Sequence, residues 1–164
     1  MKIAIFSDIH GNLPALQAVL TDMPAVEAVI CCGDLVGYYP DVEEVCNVTR
    51  GLNAFTVRGN HDGYIVGALL PAPDKAQAYK LEWTRRRLSQ GNLNWLASLP
   101  LEMSFLLDGF KIKVRHASPW DEETYLYPDS SRLIDIQLGH GEWLLVGHTH
   151  HPMVIQAGDG LILN

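Results

Sequence analysis

Cysteine is scarce in this chain, with three residues among 164: Cys31, Cys32 and Cys46. An odd number without framework spacing excludes a disulfide-stapled secreted scaffold. Cys31 and Cys32 are adjacent inside an apolar run and read as core residues. Long hydrophobic runs are lacking too. Met1 to Phe6 holds one lysine and an apolar stretch too short for the core of a signal peptide or for a membrane span. A cytoplasmic location without a membrane partner is therefore expected. Positive charge is also in short supply: 12 Lys and Arg stand against 19 Asp and Glu, a formal net charge of -7. Such a chain is a poor generic partner for DNA, RNA or anionic membrane, and it shows no basic stripe that would suit a nuclease. No repeat and no low-complexity tract is present. What remains is 48% hydrophobic and 19% charged, with enough length for a single domain over residues 1–164 to bury a real core.

Apolar runs alternate with helical patterns. Residues 2–7, 28–32 and 54–57 are short runs typical of buried strands. Between the first two, Asn12 suits a helix cap with Pro14 in the first turn, followed by Leu16, Val19, Leu20 and Met23 at helical spacing. Between the second and third, Pro40 suits a helix start, followed by Val42, Val45 and Val48. The order strand–helix–strand–helix–strand predicts parallel strands. Residues 63–100 are helix-rich, with a helix expected around 76–88 and a short one capped by Asn92; this segment reads either as a partial lid or as a second packing layer. Strands then dominate. Runs 101–107 and 110–115 flank Asp108-Gly109, a strong two-residue hairpin signal, and runs 143–146, 153–157 and 161–163 follow. The expected fold class is a layered α/β/β/α sandwich of two mixed sheets flanked by helices.

Five clusters punctuate this pattern: Asp8-Ile9-His10, Gly33-Asp34, Gly59-Asn60-His61-Asp62, His116 and Gly147-His148-Thr149-His150. Three successive strands end in such a cluster, and two later strands do likewise, which places the clusters on one sheet edge, where open α/β sheets bind ligands. Asp8 and His10, two apart on an extended backbone, would point the same way and reach one cation; His148 and His150 would do the same. Two aspartates, one asparagine and four histidines suffice for two divalent cations. Oxygen and imidazole donors suit manganese, iron, zinc, cobalt or nickel better than calcium. Paired cations are a standard means of attacking a phosphate ester with water. His61 suits a proton donor to a leaving alkoxide, and Asp62 a partner that orients and supports its protonated form. Arg58, beside that cluster, could add charge or sit in a structural ion pair. His140 reads as a loop histidine, and Asp41, Asp121, Glu122 and Glu123 as solvated surface.

Taken in order, Asp-x-His, Gly-Asp, Gly-Asn-His-Asp, His and Gly-His-x-His resemble the calcineurin-like metallophosphoesterase family. Asp34-Leu35-Val36-Gly37-Tyr38 and His116-Ala117-Ser118-Pro119 resemble the local wording of its small prokaryotic phosphoesterase and phosphodiesterase branch. The resemblance covers almost the whole chain. It implies that Asp8, His10, Asp34 and His150 hold one cation and that Asp34, Asn60, His116 and His148 hold the other, with Asp34 bridging. It further implies that His61 acts near the leaving group, and that a hydroxide between the cations hydrolyses a small phosphorylated substrate. In that branch the strand after Gly-His-x-His leads into Asn-Pro-Gly-Ser and further strands; here Leu161-Ile162-Leu163 reaches Asn164 and stops. The end of the second sheet is therefore expected to be short or missing, leaving an edge on which a second copy could pair. Two alternatives stay open. Tyr38, Tyr39, Trp120, Tyr125 and Tyr127 lie near the motifs and could stack on bases, as in a nucleotide-specific phosphodiesterase or dinucleoside polyphosphate hydrolase. The same fold, or a truncated member of it, also serves as a non-catalytic scaffold.

Overall fold

The computed structural model describes residues 1–164. Strands β1 (Ile3–Phe6), β2 (Ala28–Cys31) and β3 (Phe55–Thr56) form a wholly parallel sheet in that order. Helix α1 (Leu13–Asp22) connects the first pair and α2 (Val42–Gly51) the second. Asn12 caps α1 as its sequence predicts, its side chain accepting from the Ala15 N–H at 3.1 Å. Helix α2 begins two residues beyond Pro40, with Asp41 at its cap. Its buried stripe is Val42, Val45, Cys46 and Thr49, a helical period that turns one face onto the sheet.

Four short helices follow: α3 (Asn60–Val66), α4 (Pro73–Ala78), α5 (Leu81–Arg85) and α6 (Gln90–Ser98). The single helix expected around 76–88 is broken at Tyr79 and Lys80, where Lys80 takes a left-handed φ of 54°. Ser89, not Asn92, caps α6. Asn92 is buried and ties two helices together instead: it accepts from Arg50 at 2.9 Å and donates to Asn47 at 2.9 Å, both on α2. All the helices lie on one face of the first sheet. Leu16, Cys31, Leu35, Val45, Ile65 and Leu96 meet there in the larger apolar core.

The second sheet is mixed. Strands β4 (Glu102–Leu107), β5 (Phe110–Arg115), β6 (Glu142–Leu145), β7 (Val154–Ala157) and β8 (Gly160–Leu163) run in the order β4-β5-β6-β8-β7, with the β4–β5 and β7–β8 pairs antiparallel. It packs on the first sheet through Ile30, Cys32 and Val57 on one side and Ile112, Val114 and Leu145 on the other. The two adjacent cysteines thus serve opposite faces of β2, Cys31 toward the helices and Cys32 toward the second sheet, and both are free and buried. The outer face of the second sheet is covered by a loop carrying Leu126, Ile136 and Leu138 and a 3-10 turn at Ser131–Asp135, rather than by a second helical layer. The layered α/β sandwich is as expected, but only one sheet is mixed and only one is backed by helices. Its edge strands are β4 and β7. No helix is long and apolar enough to cross a membrane.

Candidate metal centre

The five clusters converge beyond the C-terminal ends of β1, β2, β3, β5 and β6. They do so by a different route from the one that alternation along a strand suggests. Asp8, His10, Asp34, His148 and His150 all adopt left-handed φ, between 52° and 68°. A left-handed residue turns the chain sharply, so the clusters around Asp8, Asp34 and His148 are tight turns rather than extended runs. Backbone bonds hold these turns in place: the N–H groups of Asp8, His10 and Gly11 donate to the carbonyls of Gly33, Asp34 and Leu35 at 3.0, 3.0 and 2.8 Å. Asp8 accepts the His148 N–H on its two oxygens at 3.1 and 2.9 Å, which joins the first cluster to the last. Gly147 allows that closeness, since a Cβ there would lie 2.0 Å from Ser7 Oγ and 2.5 Å from Asp8 Oδ2.

Two groups of side chains result. Asp8, His10 and His150 form one, and Asp34, His116 and His148 the other, with candidate ligand atoms within 4.8 Å of each other in each group; His10, Asp34 and His61 make a third group that shares a residue with each. Asn60 joins the second through His116, its Oδ1 2.9 Å from His116 Nε2. Asp34 Oδ2 lies 3.3 Å from His116 Nε2 and 3.7 Å from His10 Nε2, so one carboxylate faces both groups. The second group is buried, whereas the His150 side chain is 52% exposed.

The hydrogen-bond pattern suits cations. His10 Nδ1 meets the Val36 carbonyl at 3.0 Å, and His116 Nδ1 meets the Cys32 carbonyl at 2.8 Å. A carbonyl only accepts, so in each neutral ring Nδ1 carries the proton and Nε2 presents a lone pair inward. For His116 that lone pair faces Asn60 Oδ1 and Asp34 Oδ2; for His10 it faces His150 Nε2 at 3.1 Å. Around His116, acceptors aimed at acceptors call for a positive charge between them; His150 Nε2, which also faces Asp8, can carry a proton of its own. Without a cation, a proton must serve: burial opposes the charge, yet Asp34 raises His116 to about 9. Burial pushes the Asp34 carboxyl up, but the neighbouring His116 outweighs it and holds the group well below the usual carboxylate range. In His148, Nε2 meets the Glu123 carbonyl at 3.1 Å, leaving Nδ1 as the free donor atom.

Asp62 has another task than supporting His61. Its two oxygens accept four backbone N–H groups, those of Asp34, Gly59, Leu35 and Val36, at 2.9, 3.0, 3.0 and 3.3 Å. It fastens the start of α3 to the loop after β2. Burial first, and then the nearby Asp34 charge, raise its carboxyl to about 7 against the pull of those N–H groups. The cluster 59–62 is therefore not a plain loop: it opens α3, with Gly59 at the cap. His61 is buried, and its Nδ1 has no partner. Burial is the main cause that lowers its pKa to about 4.

A cavity of about 210 Å³ opens onto Asp34, His61, His148 and His150. Tyr38 lines it, its ring centroid 4.7 Å from that of His10. Arg58 does not; its guanidinium stands 3.6 Å from Glu122 in a mostly buried ion pair. Glu122 and Glu123 are consequently more than solvated surface. Glu123 lends its carbonyl to His148, and its carboxylate accepts from the Tyr64 hydroxyl. Asp121 organises the same loop by accepting the Thr124 N–H at 2.6 Å and the Glu123 N–H at 2.9 Å. Tyr79 and Tyr125 also wall the cavity, and sequence reasoning singled out only the second of them. Asn164 was missed as well. Its side chain donates to the Gly147 carbonyl at 2.7 Å and to Thr149 Oγ1 at 3.0 Å, bracing the Gly-His-Thr-His turn.

The family model for the calcineurin-like phosphoesterase superfamily domain matches residues 1–164. The chain belongs to that superfamily. Protein MJ0912 of Methanocaldococcus jannaschii is 37% identical over 99% of this chain and 68% of its own length. Phosphodiesterase MJ0936 of the same organism is 25% identical over 100% of this chain and 82% of its own. A metallophosphoesterase from Sphaerobacter thermophilus superimposes with a TM-score of 0.75 at 33% identity, covering 94% of this chain and 63% of that one. The chain thus spans about two thirds of the length of the first and third of these relatives.

Proposed function

We propose that this chain is a metal-dependent phosphoesterase, acting as a phosphatase or phosphodiesterase on a small phosphorylated substrate with two divalent cations at the rim. The observation that carries this reading is the pair of Asp and His groups facing a common carboxylate, Asp34. Asp8, His10, Asp34 and His150 would hold one cation; Asp34, Asn60, His116 and His148 would hold the other. When bound, the pair would supply positive charge for the phosphate oxygens and an activated water near neutral pH.

The chain's own groups do the rest. Asp34 orients the centre, because its Oδ1 accepts the His61 N–H at 2.8 Å and is thereby fixed. That same bond sets His61 beside the cavity. His61 is neutral before substrate arrives, since burial lowers its pKa to about 4. A phosphate anion entering the cavity favours the charged imidazolium, and the ring takes a proton from solvent. The protonated ring then donates to the leaving alkoxide. Manganese, iron, zinc, cobalt and nickel all suit this donor set.

The test is hydrolysis of p-nitrophenyl phosphate and its bis ester by protein supplied with manganese. His61→Ala should lose turnover by about 100-fold or more while its metal content stays unchanged. Absence of turnover on both esters with each of the five metals would overturn the reading. Metal-free, folded protein as purified would favour a scaffold instead.

A further inference from the structure

Three tyrosines from three separate segments wall the cavity over the metal groups. Tyr38 comes from the loop after β2, Tyr79 from the break between α4 and α5, and Tyr125 from the loop after β5. The Tyr79 ring centroid lies 4.3 Å from that of His61 and 5.4 Å from that of Tyr38. Tyr125 stacks on His148, with ring centroids 4.0 Å apart. Burial first, and then the neighbouring Tyr79 and Tyr125 phenols, push the Tyr38 hydroxyl up to about 12, so Tyr38 stays uncharged. The space these rings line is partly open and about 210 Å³, below the roughly 300–1,000 Å³ typical of small-molecule pockets. Cations held by Asp34, His148 and His150 would take part of it. Helix α4 buries no residue fully, and the placement of Tyr79 rests on the left-handed turn at Lys80, on its packing against the larger apolar core and on the ring's contacts with the site.

We propose that Tyr79 is a specificity-determining residue that sizes the site for a phosphoryl group carrying one bulky organic substituent, so that the substrates are phosphomonoesters rather than diesters of two large groups. This rests on the phosphoesterase reading. It makes the helix-rich segment 63–100 a partial lid as well as a packing layer.

Two diesters with one leaving group isolate the steric effect: methyl p-nitrophenyl phosphate and bis(p-nitrophenyl) phosphate. The second is intrinsically the more reactive, so a preference for the first can only come from the site. Manganese-loaded protein should prefer the methyl ester by about tenfold or more in kcat/KM. Tyr79→Ala should shrink that preference by about fivefold, chiefly through KM for the bis ester, while Tyr79→Phe keeps it. Calorimetry with unaltered protein gives a second readout: dimethyl phosphate should bind more tightly than diphenyl phosphate, although the phenyl groups offer more apolar contact. Preference for the bis ester, a ratio indifferent to Tyr79→Ala, or tighter binding of diphenyl phosphate would each overturn the proposal. If Tyr79→Ala does not fold, the calorimetric order decides. If no ester is hydrolysed with any metal yet dimethyl phosphate binds more tightly, catalysis fails and the size rule stands.

Discussion

The two ends of the sandwich use the same unfavourable backbone conformation for different reasons. At one end Asp108 and Gly109 join β4 to β5 with φ of 49° and 83°. Two positive φ values in a two-residue loop match the twist of a hairpin, and Asp-Gly is the pair that adopts them most readily. At the metal end Asp8, His10, Asp34, Tyr38, His148 and His150 are left-handed as well, and none is glycine. Each such residue costs about 1–2 kcal/mol. In the hairpin, the local residues choose the conformation. At the rim, the surroundings impose it: Asp62 grips four N–H groups, Asp8 grips the N–H of His148, and glycines stand wherever a Cβ would collide. Strain that the surroundings must over-determine is characteristic of functional sites.

The largest break in this contrast should come from filling one of the close approaches at the rim. Gly59 has an ordinary φ of -87°, so any residue could adopt its backbone. What it lacks is room, because a Cβ there would lie 2.0 Å from Asp34 Oδ1 and 2.3 Å from Asp34 N. Gly59→Ala must displace the carboxylate shared by both ligand groups. Metal retained after dialysis should fall to background, with affinity lowered by about 100-fold. Near-normal metal content would show that the shared carboxylate is dispensable. Next in size is Asp62→Asn. An amide offers one acceptor oxygen where the carboxylate offers two, so about two buried N–H groups lose their partner, at a cost of about 3 kcal/mol in urea unfolding. Had Asp62 chiefly supported His61, turnover would drop while stability held.

The same contrast explains what was legible in the sequence. Elements selected by local rules could be read directly: the Asn12 cap, the Asp108-Gly109 turn, the parallel order of the first three strands and the extent of β5. The identity of the clustered side chains was legible too, since Asp, Asn and His recur after strand ends. The way they converge was not. Side-chain alternation assumes an extended backbone, and these residues are left-handed because of contacts with distant segments, such as that of Asp8 with His148. Asn92, Tyr79 and Asn164 were misjudged or missed for a related reason. Asn92 resembles a helix cap by its type, but its partners lie on α2. Tyr79 enters the site because the chain breaks at Lys80, and no glycine or proline signals that break. The Asn164 side chain acts through its fold onto Gly147 and Thr149.

At the hairpin end, substitutions should act locally and mildly. Gly109→Ala forces a Cβ into a left-handed position but meets nothing within 4 Å. The expected loss is about 1 kcal/mol in urea unfolding, with metal content unchanged. A larger loss, or any loss of metal, would mean that the two ends are coupled.

The smallest expected effect concerns acid stability beside the same hairpin. Glu142 on β6 accepts from Lys111 at 2.7 Å, from the Gly139 N–H at 3.1 Å and from Lys113 at 3.2 Å. The Lys111 bond is the main cause, and together these contacts lower its carboxyl to about 2 from an ordinary value of 4.5. A carboxylate depressed in the folded state stabilises the fold fully above the unfolded value, and that contribution is lost as pH falls from about 4.5 through about 2. Glu142→Gln has no proton to take up there. The stability gap between the wild-type chain and Glu142→Gln should therefore be present at neutral pH and close progressively below about 4.5, which paired urea titrations across that range would measure. A gap that stays constant down to pH 2 would mean that the lysines contribute shape rather than charge. A gap that widens on acidification would reverse the sign of the argument.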